Sequence, residues 1–375
     1  MKFIETLQGE LHQNQNLLRE ATVLVGLDGF IDKIVHPIDQ RHGKGNHYTP
    51  IKSISAFGKR ISDASGKSTN IELAPVIDKL GGNGPIMAEA MRQLGQKVCY
   101  VGALGKQEIH PLFSEFAKNT QAISLSDPGV THALEFQDGK VMLGSMSTLE
   151  EIHYQAVVDN MGEGAFLEKL DQTETLALVN WTMIPNMSDF FHSLITDVYP
   201  NLGPSENRRF FFDLADPEKR SDNDLETALN LISKFQSFGA VSLGLNYKES
   251  LRIYKLMGYN SEPDTELGLI QIASRIRDRL KITCVVIHTR KSAACANSQD
   301  TAFCNGPYCT DPKISTGAGD HFNAGFMTAS RMQLSPSSCI VFAASVSGYY
   351  VRNGKSPNLN QVDQFLDLWK KNALD

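Results

Sequence analysis

The sequence predicts an α/β fold with a largely parallel central sheet. Apolar runs of strand length alternate with segments of helical periodicity along most of the chain, an order that is typical of strands joined by crossover helices. The runs are short and apolar throughout, as expected of strands that are buried on both faces. The 375 residues contain no internal repeat, low-complexity tract or Pro-rich linker, and we therefore expect residues 1–375 to form a single domain.

The predicted elements follow one another in this alternating order. Strands are predicted at residues 21–26, 97–102, 175–181, 209–214, 240–245 and 282–288, and helices at 85–94, 222–238, 262–279 and 337–352. The helix at 85–94 is the best delimited, because Pro85 suits a first helical turn and Gly95 suits the left-handed residue that ends a helix. The charged stretch 77–79 that precedes it is predicted to be helical as well.

Two segments, 34–61 and 130–146, break the alternation. The first mixes glycines and prolines with short apolar stretches, and the second carries Asp138-Gly139 between two strand-like runs. Asp-Gly is a frequent two-residue turn of β-hairpins. Together the two segments predict a small β layer beside the main sheet.

The charge balance and the apolar pattern exclude several classes of protein. With 36 basic and 42 acidic residues the formal net charge is −6, and no basic cluster is present, so binding to nucleic acid is not expected. Residues 1–20 lack the continuous apolar core of a signal peptide, and no apolar run is long enough to span a membrane. The six cysteines are expected to be reduced thiols. We therefore expect a cytoplasmic protein with no membrane partner.

Residues 315–325, which read Ser-Thr-Gly-Ala-Gly-Asp-His-Phe-Asn-Ala-Gly, form the most informative motif. Gly317, Ala318 and Gly319 let successive backbone N–H groups converge on one point before a helix, where the helix dipole adds attraction for an anion. Asp320 follows directly and places a carboxylate beside that anion. The sequence alone leaves an ordinary loop-to-helix turn, with Asp320 as the N-cap, as an equal alternative.

Three motifs of this chain resemble those of the ribokinase or phosphofructokinase-B family of sugar kinases. Residues 314–325 are similar to the C-terminal signature of that family, and residues 80–88 resemble its paired-glycine sugar-binding turn. Asn246 and Glu249 are similar to an Asn-x-x-Glu element that these kinases place near Mg²⁺ and phosphate. The three motifs stand in the order of the family and span most of the chain.

The resemblance implies a ribokinase-like three-layer α/β/α fold, with a small β lid over the sugar formed by the segments near 34–61 and 130–146. It implies an ATP-dependent kinase that phosphorylates a hydroxyl of a monosaccharide or related polyol, with Asp320 as the base. The amides of Gly317, Ala318 and Gly319 would stabilise charge on the γ-phosphoryl oxygens. The lid strands of the family sometimes also form a dimer contact, so the resemblance allows a homodimer here.

The sugar-binding residues are expected in two places. Asp28 and Asp32 follow the first predicted strand, and a carboxylate can accept hydrogen bonds from neighbouring sugar hydroxyls. The family places a sugar-binding aspartate here, and the sequence does not decide which of the two matches it. Gly82 and Asn83 are expected to contact the sugar from the paired-glycine turn.

The nucleotide and its metal ion are expected at the other end of the site. Asn246, Thr289, Arg290 and Thr316 are the predicted nucleotide-binding residues, and Glu249 is the predicted Mg²⁺ residue, acting through water. Arg290 carries a charge that can meet phosphate.

A further pair of carboxylates, Asp213 and Asp216, follows the predicted strand 209–214. These carboxylates can order water, metal or the acceptor. The proline after Asp216 favours an ordinary turn between a strand and a helix.

The sequence also departs from the family pattern. After the strand ending at His288 the family has a Thr-x-Gly-x-x-Gly turn, whereas residues 289–293 contain no glycine. Ile86 stands where ribokinase-like members commonly have Asn, so an acceptor other than ribose is expected. These departures leave two alternatives open, a sugar or nucleotide sensor that has lost phosphotransfer and a kinase that uses ADP as the donor.

Overall fold

A computed structural model describes residues 2–18 and 20–374 of the chain. Met1, Arg19 and Asp375, which belong to the predicted domain 1–375, lie outside the described residues. The described residues form two sheets, one of nine strands and one of five.

The strands and helices have the following bounds. The strands are β1 (Thr22–Leu27), β2 (Phe30–Arg41), β3 (Tyr48–Pro50), β4 (Leu73–Gly81), β5 (Lys97–Ala103), β6 (Ile123–Ser126), β7 (Gly129–Phe136), β8 (Gly139–Ser145), β9 (Thr175–Leu178), β10 (Arg209–Asp213), β11 (Ala240–Asn246), β12 (Cys284–His288), β13 (Ser292–Asn297) and β14 (Thr301–Asn305). The α-helices are α1 (Lys2–Asn14), α2 (Ile54–Ser62), α3 (Asn83–Gln93), α4 (Ser114–Asn119), α5 (Tyr154–Met161), α6 (Glu163–Asp171), α7 (Met187–Ser193), α8 (Tyr199–Leu202), α9 (Asp222–Lys234), α10 (Tyr247–Leu256), α11 (Glu266–Leu280), α12 (Ala318–Arg331), α13 (Pro336–Asn353) and α14 (Leu359–Lys370).

The nine-stranded sheet has the order β14-β13-β12-β11-β10-β9-β1-β5-β6. The strands from β12 to β6 pair in parallel, and only β13 and β14 run antiparallel at one edge. The predicted α/β fold with a mostly parallel sheet is therefore confirmed. Each predicted strand is present, and the largest difference is β9, which ends at Leu178 rather than at residue 181.

Side chains on both faces of this sheet are buried, which makes the fold three-layered. In β10, Phe210 and Phe212 pack into one apolar cluster with residues of α9 and α11. Phe211, between them, packs into a second cluster on the opposite face, with residues of α3, α12 and α13. The alternation follows from the two-residue period of a strand.

Four strands of the five-stranded sheet, β2, β3, β7 and β8, lie largely in the two segments that break the alternation, and the fifth, β4, lies between those segments. β2 pairs with β3, β4 and β7, and β8 pairs with β7 through the hairpin turn at Asp138-Gly139. The predicted small β layer is confirmed. The helical prediction for residues 77–79 is wrong, because they lie in β4, a strand exposed along most of its length. Most of its side chains are exposed, so the strand lacks the buried face by which sequence patterns detect strands.

None of the helices in residues 2–18 and 20–374 is both long and apolar enough to cross a membrane. The six cysteines are free thiols, as expected, and five of them are buried.

Candidate active site

Polar residues gather at one edge of the main sheet. Because parallel strands share their direction, their carboxyl ends meet at the same edge, where open α/β sheets bind ligands. Five neighbouring strands end at or just before a polar residue: β1 before Asp28, β9 before Asn180, β10 at Asp213, β11 at Asn246 and β12 at His288.

Asp28 is fully buried and holds the start of α3 in place. Its Oδ2 accepts the backbone N–H of Asn83 at 2.9 Å, and its Oδ1 accepts the backbone N–H of Gly84 at 2.8 Å. The side-chain amide of Asn180 donates to Oδ2 at 2.6 Å. Burial raises the pKa of Asp28 to about 6 in spite of these donors. With its lone pairs occupied by protein groups, Asp28 is built to orient the paired-glycine turn.

Asp32 lies elsewhere, on the lid strand β2. It is half-buried, and it pairs across the sheet with Lys79 of β4 and Thr131 of β7. Burial raises the pKa of Asp32, while a hydrogen bond from Thr131 and the charge of Lys79 oppose that rise. Its carboxylate packs against the Cα of Gly81, since a Cβ built there would lie 2.5 Å from Oδ2. Asp32 thus stands beside the same glycine turn as Asp28, from the side of the lid.

One hydrogen bond joins the two halves of the site. The side-chain amide of Asn83 donates to Oδ1 of Asp320 at 2.9 Å, across 237 residues of sequence. It is possible because α3 and α12 pack side by side and both begin at this edge. The paired-glycine turn and the Gly-Ala-Gly-Asp motif therefore form one site.

Asp320 is a buried carboxyl group whose pKa lies close to neutral pH. Its pKa is raised to about 7, first by burial and then by the charges of Asp28 and Glu249, while the Asn83 hydrogen bond opposes the rise. Asp320 is not the N-cap of α12, because Gly317 occupies that position. The capping alternative for Asp320 is thus overturned, and its carboxylate is directed to Asn83.

Residues 315–320 form the turn into α12. We call it the anion-binding turn, after the role that the sequence predicts for it. Gly317 has φ = 86°, a left-handed conformation that favours glycine. A Cβ on Gly319 would lie 3.2 Å from Cε1 of His288, so the close approach of strand and turn leaves little room for a side chain. The amide of Ala318 donates to the carbonyl of Ser315 at 3.2 Å. Of the three predicted amides, the one on Ala318 is therefore partly engaged within the turn.

Two more buried carboxylates lie behind this turn. Asp213 Oδ2 accepts the side-chain amide of Asn323 at 2.7 Å, and burial followed by the charge of Asp320 raises its pKa to about 7. Glu249 is the third residue of a capping box, in which its carboxylate accepts the backbone N–H of Asn246 at 2.8 Å. It also accepts the N–H of Asp216 at 3.2 Å. Burial raises the pKa of Glu249 to about 8, and the charge of Asp213 adds to the rise.

A cleft of about 960 Å³ opens beside the anion-binding turn. Three of the predicted nucleotide-binding residues, Asn246, Thr289 and Arg290, line it, together with Ala318 and Gly319. Its volume is at the upper end of the range for small-molecule sites. Thr316 is exposed and does not line the cleft, so the structure does not bring this residue together with the other three.

The glycine-free turn after β12 is a tight hairpin closed by a side chain. Oγ1 of Thr289 accepts the backbone N–H of Lys291 at 3.0 Å and of Ser292 at 3.1 Å. The backbone N–H of Thr289 donates to the carbonyl of Ser292 at 2.8 Å. A threonine hydroxyl thus holds the turn without any glycine.

Sequence reasoning missed Asn180 and His288. Asn180 has φ = 61°, is buried, and leaves its Oδ1 without a hydrogen-bond partner in the described chain. His288 borders the cleft, and burial lowers its pKa to about 4. The available signal was position, because each is the polar residue at the end of a buried run.

Comparison with known proteins identifies the family. Residues 7–369 match the model of the prokaryotic ketohexokinase family. The chain belongs to this family. This ketohexokinase-family chain is 26% identical over 346 residues to ketohexokinase from Haloferax volcanii, a match that covers 92% of the chain and 90% of that protein.

Solved structures share the fold of this ketohexokinase-family chain at lower identity. Fructokinase with bound ATP from Xylella fastidiosa aligns with a TM-score of 0.64 at 14% identity, over 94% of this chain and 100% of that one. Ribokinase from Thermotoga maritima aligns with a TM-score of 0.60 at 16% identity, over 92% and 99%. The fold is ribokinase-like, and the expectation of a carbohydrate kinase that phosphorylates a sugar hydroxyl is confirmed.

Proposed function

We propose that this kinase transfers the γ-phosphoryl group of ATP to a hydroxyl of a ketohexose, with Asp320 as the base. The observation that carries the proposal is the 2.9 Å hydrogen bond between Asn83 and Asp320, because it joins a sugar-binding turn to a carboxylate beside an anion-binding turn. The ketohexose follows from the family and from the Haloferax relative. Isoleucine at residue 86 agrees with an acceptor other than ribose.

On the acceptor side, we assign the hydroxyl contacts to Asp32, Asn83 and the backbone of Gly82. Asp32 keeps acceptor capacity at the lid side of the turn, and the side chain of Asn83 can donate and accept. Asp28 supports these contacts indirectly, because its oxygens already accept the backbone N–H groups that shape the turn. Asn180, with its unpartnered Oδ1, supplies one more acceptor at this edge.

In the transfer step the acceptor oxygen forms its bond to phosphorus as the bond from phosphorus to the ADP oxygen breaks. The hydroxyl proton passes to Asp320. A pKa of about 7 suits this role, since about half of the carboxyl groups are ionised at neutral pH and the ionised form is basic enough to take a proton. The amides of Gly317 and Gly319, at the N-terminus of α12, stabilise the charge on the moving phosphoryl oxygens. That of Ala318 contributes less while it donates to Ser315.

The nucleotide occupies the 960 Å³ cleft, which opens onto Gly319. Arg290 meets phosphate there, and Thr289 and Asn246 shape the adjoining walls. Thr316 does not line this cleft, so we leave it out of the nucleotide contacts. Within the described residues ADP can occupy the same cleft, so the choice of donor is part of the test.

The residues at this edge fit a magnesium ion that is held mainly by phosphates and water. Glu249 is a buried carboxylate with a raised pKa, and its neighbour Asp213 adds a second. No group of three or more metal-ligating side chains occurs within residues 2–18 and 20–374. Mg²⁺ commonly binds through one or two carboxylates plus substrate phosphates. We assign Glu249 to its hydration shell. When bound, the ion neutralises charge on the phosphates.

We also propose that the lid sheet is a contact between two copies of the chain. Ile77, Ile34 and Met142 lie in one row across β4, β2 and β8, through Ala133 of β7. Ile77 and Met142 are each 50% exposed. Asp32 lies two residues before Ile34, on the same face. A second copy on this face would cover apolar surface and close the sugar site together.

The function is tested by ADP release with Mg²⁺-ATP and a panel of D-fructose, D-glucose and D-ribose. Saturable turnover with D-fructose supports the proposal. Turnover with D-ribose but none with D-fructose would contradict the ketohexose. Melting-temperature shifts with sugar and no turnover would instead support the sensor. AMP formation when ADP replaces ATP would identify ADP as the donor.

A further inference from the structure

Two aromatic rings stack directly behind the anion-binding turn of residues 315–320. The rings of His321 and Tyr350 lie with centroids 3.6 Å apart and an interplanar angle of 14°. His321 is in the first turn of α12, and Tyr350 is near the end of α13. Their polar atoms are directed at the backbone of the turn.

Tyr350 holds one peptide of the turn. Its hydroxyl donates to the carbonyl of Thr316 at 2.9 Å. In a trans peptide the N–H points opposite to the C=O, so the N–H of Gly317 is directed away from Tyr350. A Cβ on Gly317 would lie 3.1 Å from the Tyr350 hydroxyl, which shows how closely the ring approaches this peptide.

His321 holds the next carbonyl. Its Nδ1 lies 2.7 Å from the carbonyl oxygen of Gly317, and its Nε2 lies 2.8 Å from Oγ of Ser356. A carbonyl oxygen only accepts, so Nδ1 carries the hydrogen and Nε2 accepts from the serine hydroxyl. Burial lowers the pKa of His321 to about 4, which agrees with a neutral ring. The imidazole is thereby fixed at both nitrogens.

Gly317 needs such support. A glycine peptide rotates more freely than any other, and the positive φ of this residue does not by itself fix the direction of its N–H. An amide stabilises a developing charge efficiently only when it already points at the charge before the reaction. Gly317 has no side chain of its own to provide that order.

We propose that Tyr350 is a positioning residue that aims the Gly317 N–H at the transferred phosphoryl group, and that His321 supports it by stacking on its ring and by fixing the next peptide, that between Gly317 and Ala318. This inference rests on the proposed function, because it assigns the geometry of the same anion-binding turn. The inference predicts that loss of this support lowers kcat, because the Gly317 amide stabilises charge in the transition state. The rings hydrogen-bond to Thr316, Gly317 and Ser356 and to none of the assigned sugar contacts, so sugar affinity should not change.

The test compares single-group variants in ADP-release kinetics. Tyr350→Phe keeps the stacked ring and removes only the hydroxyl, and we expect kcat to fall about 10- to 100-fold with the KM for D-fructose unchanged. At residue 321 the matched pair is His321→Asn, whose amide can donate from the place of Nδ1, and His321→Leu, which has a similar shape and no donor. We expect the Asn variant to retain clearly more kcat than the Leu variant.

The control for loss of a buried tyrosine hydroxyl is Tyr254→Phe, which removes a 2.8 Å bond to Arg275 away from the turn. It should keep the wild-type kcat. If Tyr350→Phe does not fold, the pair at residue 321 decides. Wild-type kcat in Tyr350→Phe and His321→Leu, or a parallel rise in the KM for D-fructose, would overturn the inference. Full turnover by Asp320→Asn would instead overturn the proposed function.

Discussion

The same carboxyl group takes different roles in this site because its surroundings differ. Asp28 accepts four protein donors on its carboxylate and has a pKa of about 6, whereas Asp320 accepts one side-chain donor and has a pKa of about 7. Saturation with fixed donors makes the first a positioning group. The second retains a free lone pair and a proton affinity suited to a general base. Sequence position alone did not distinguish them.

The hydrogen bond from Asn83 gives a prediction about pH. It stabilises the ionised form of Asp320, so Asn83→Ala should raise the pKa of that carboxyl. Activity needs the ionised form and falls as pH decreases through the pKa. We therefore expect the acid limb of the kcat/KM profile, near pH 7 in the wild type, to move up by about one pH unit.

The matched control is Asn160→Ala, on the exposed part of α5, which should leave the profile unchanged. An acid limb that stays in place or moves to lower pH in Asn83→Ala would separate Asn83 from the titration of Asp320.

At the scale of elements, the turns at the sheet edge are held by side chains. Glu249 and Asn246 close the start of α10 with a capping box, and Thr289 closes the β12–β13 hairpin. Both motifs had been assigned to ligand binding from the sequence. In the structure each motif has a hydrogen-bonding role in its own turn, and Asn246 and Thr289 also line the cleft.

The hairpin at residues 289–292 is predicted to control nucleotide affinity. Thr289→Ala removes the hydroxyl that accepts two backbone N–H groups, at a cost of about 1 kcal/mol. The turn should loosen, and the KM for ATP should rise while the KM for D-fructose stays the same. Thr301→Ala, at the exposed start of β14, is the control. Equal KM values for ATP in the wild type and Thr289→Ala would refute this role.

The elements also show which parts of the site could be predicted from the sequence. Buried strands were located because their apolar runs are continuous, and polar residues following those runs mark the site edge. β4 was mistaken for a helix, since an exposed strand has no buried face to give it a two-residue pattern. Asn180 escaped prediction because its own left-handed backbone conformation, just after β9, turns its side chain toward Asp28. The contact itself leaves no local signal, so position at the end of a buried run was the one mark of this residue in the sequence.

At the scale of the whole molecule, the parallel sheet brings buried carboxylates from distant segments to one edge. Asp213 and Asp320 have pKa values raised to about 7, and that of Glu249 is raised to about 8. The folded state therefore binds more protons than the unfolded state between about pH 4 and pH 8, and stability falls as pH rises through that window. Part of the folding energy is given up to assemble the site.

We predict that the melting temperature decreases between about pH 6.5 and about pH 8.5. The buried histidines, His288 and His321, have lowered pKa values and act in the opposite direction, but most of their contribution is complete by about pH 7.5, and the three carboxyl groups outweigh it above about pH 6.5. Calorimetry at several pH values measures the effect. Asp213→Asn should flatten the decrease, and Asp171→Asn on exposed α6 should not. A melting temperature that rises over this range would contradict the raised pKa values.

The proposed contact between lid sheets is a property of two molecules. Ile77→Asp places a charge on a half-exposed side chain at one end of the apolar row, so sedimentation should show a dimer in the wild type and a monomer in the variant. Leu267→Asp, at an 81% exposed residue of α11, is the matched control and should remain dimeric. A wild-type chain that stays monomeric at high concentration would exclude this contact.

Asp320 is the group on which the proposed chemistry depends. The most direct test is the turnover of Asp320→Asn with Mg²⁺-ATP and D-fructose, beside Asp171→Asn as a folded control. Because the amide cannot accept the hydroxyl proton, we expect kcat to fall by about 100- to 10,000-fold, while the shift in melting temperature that sugar produces stays the same. An Asp320→Asn variant that keeps wild-type kcat would contradict the role of this carboxylate as the base.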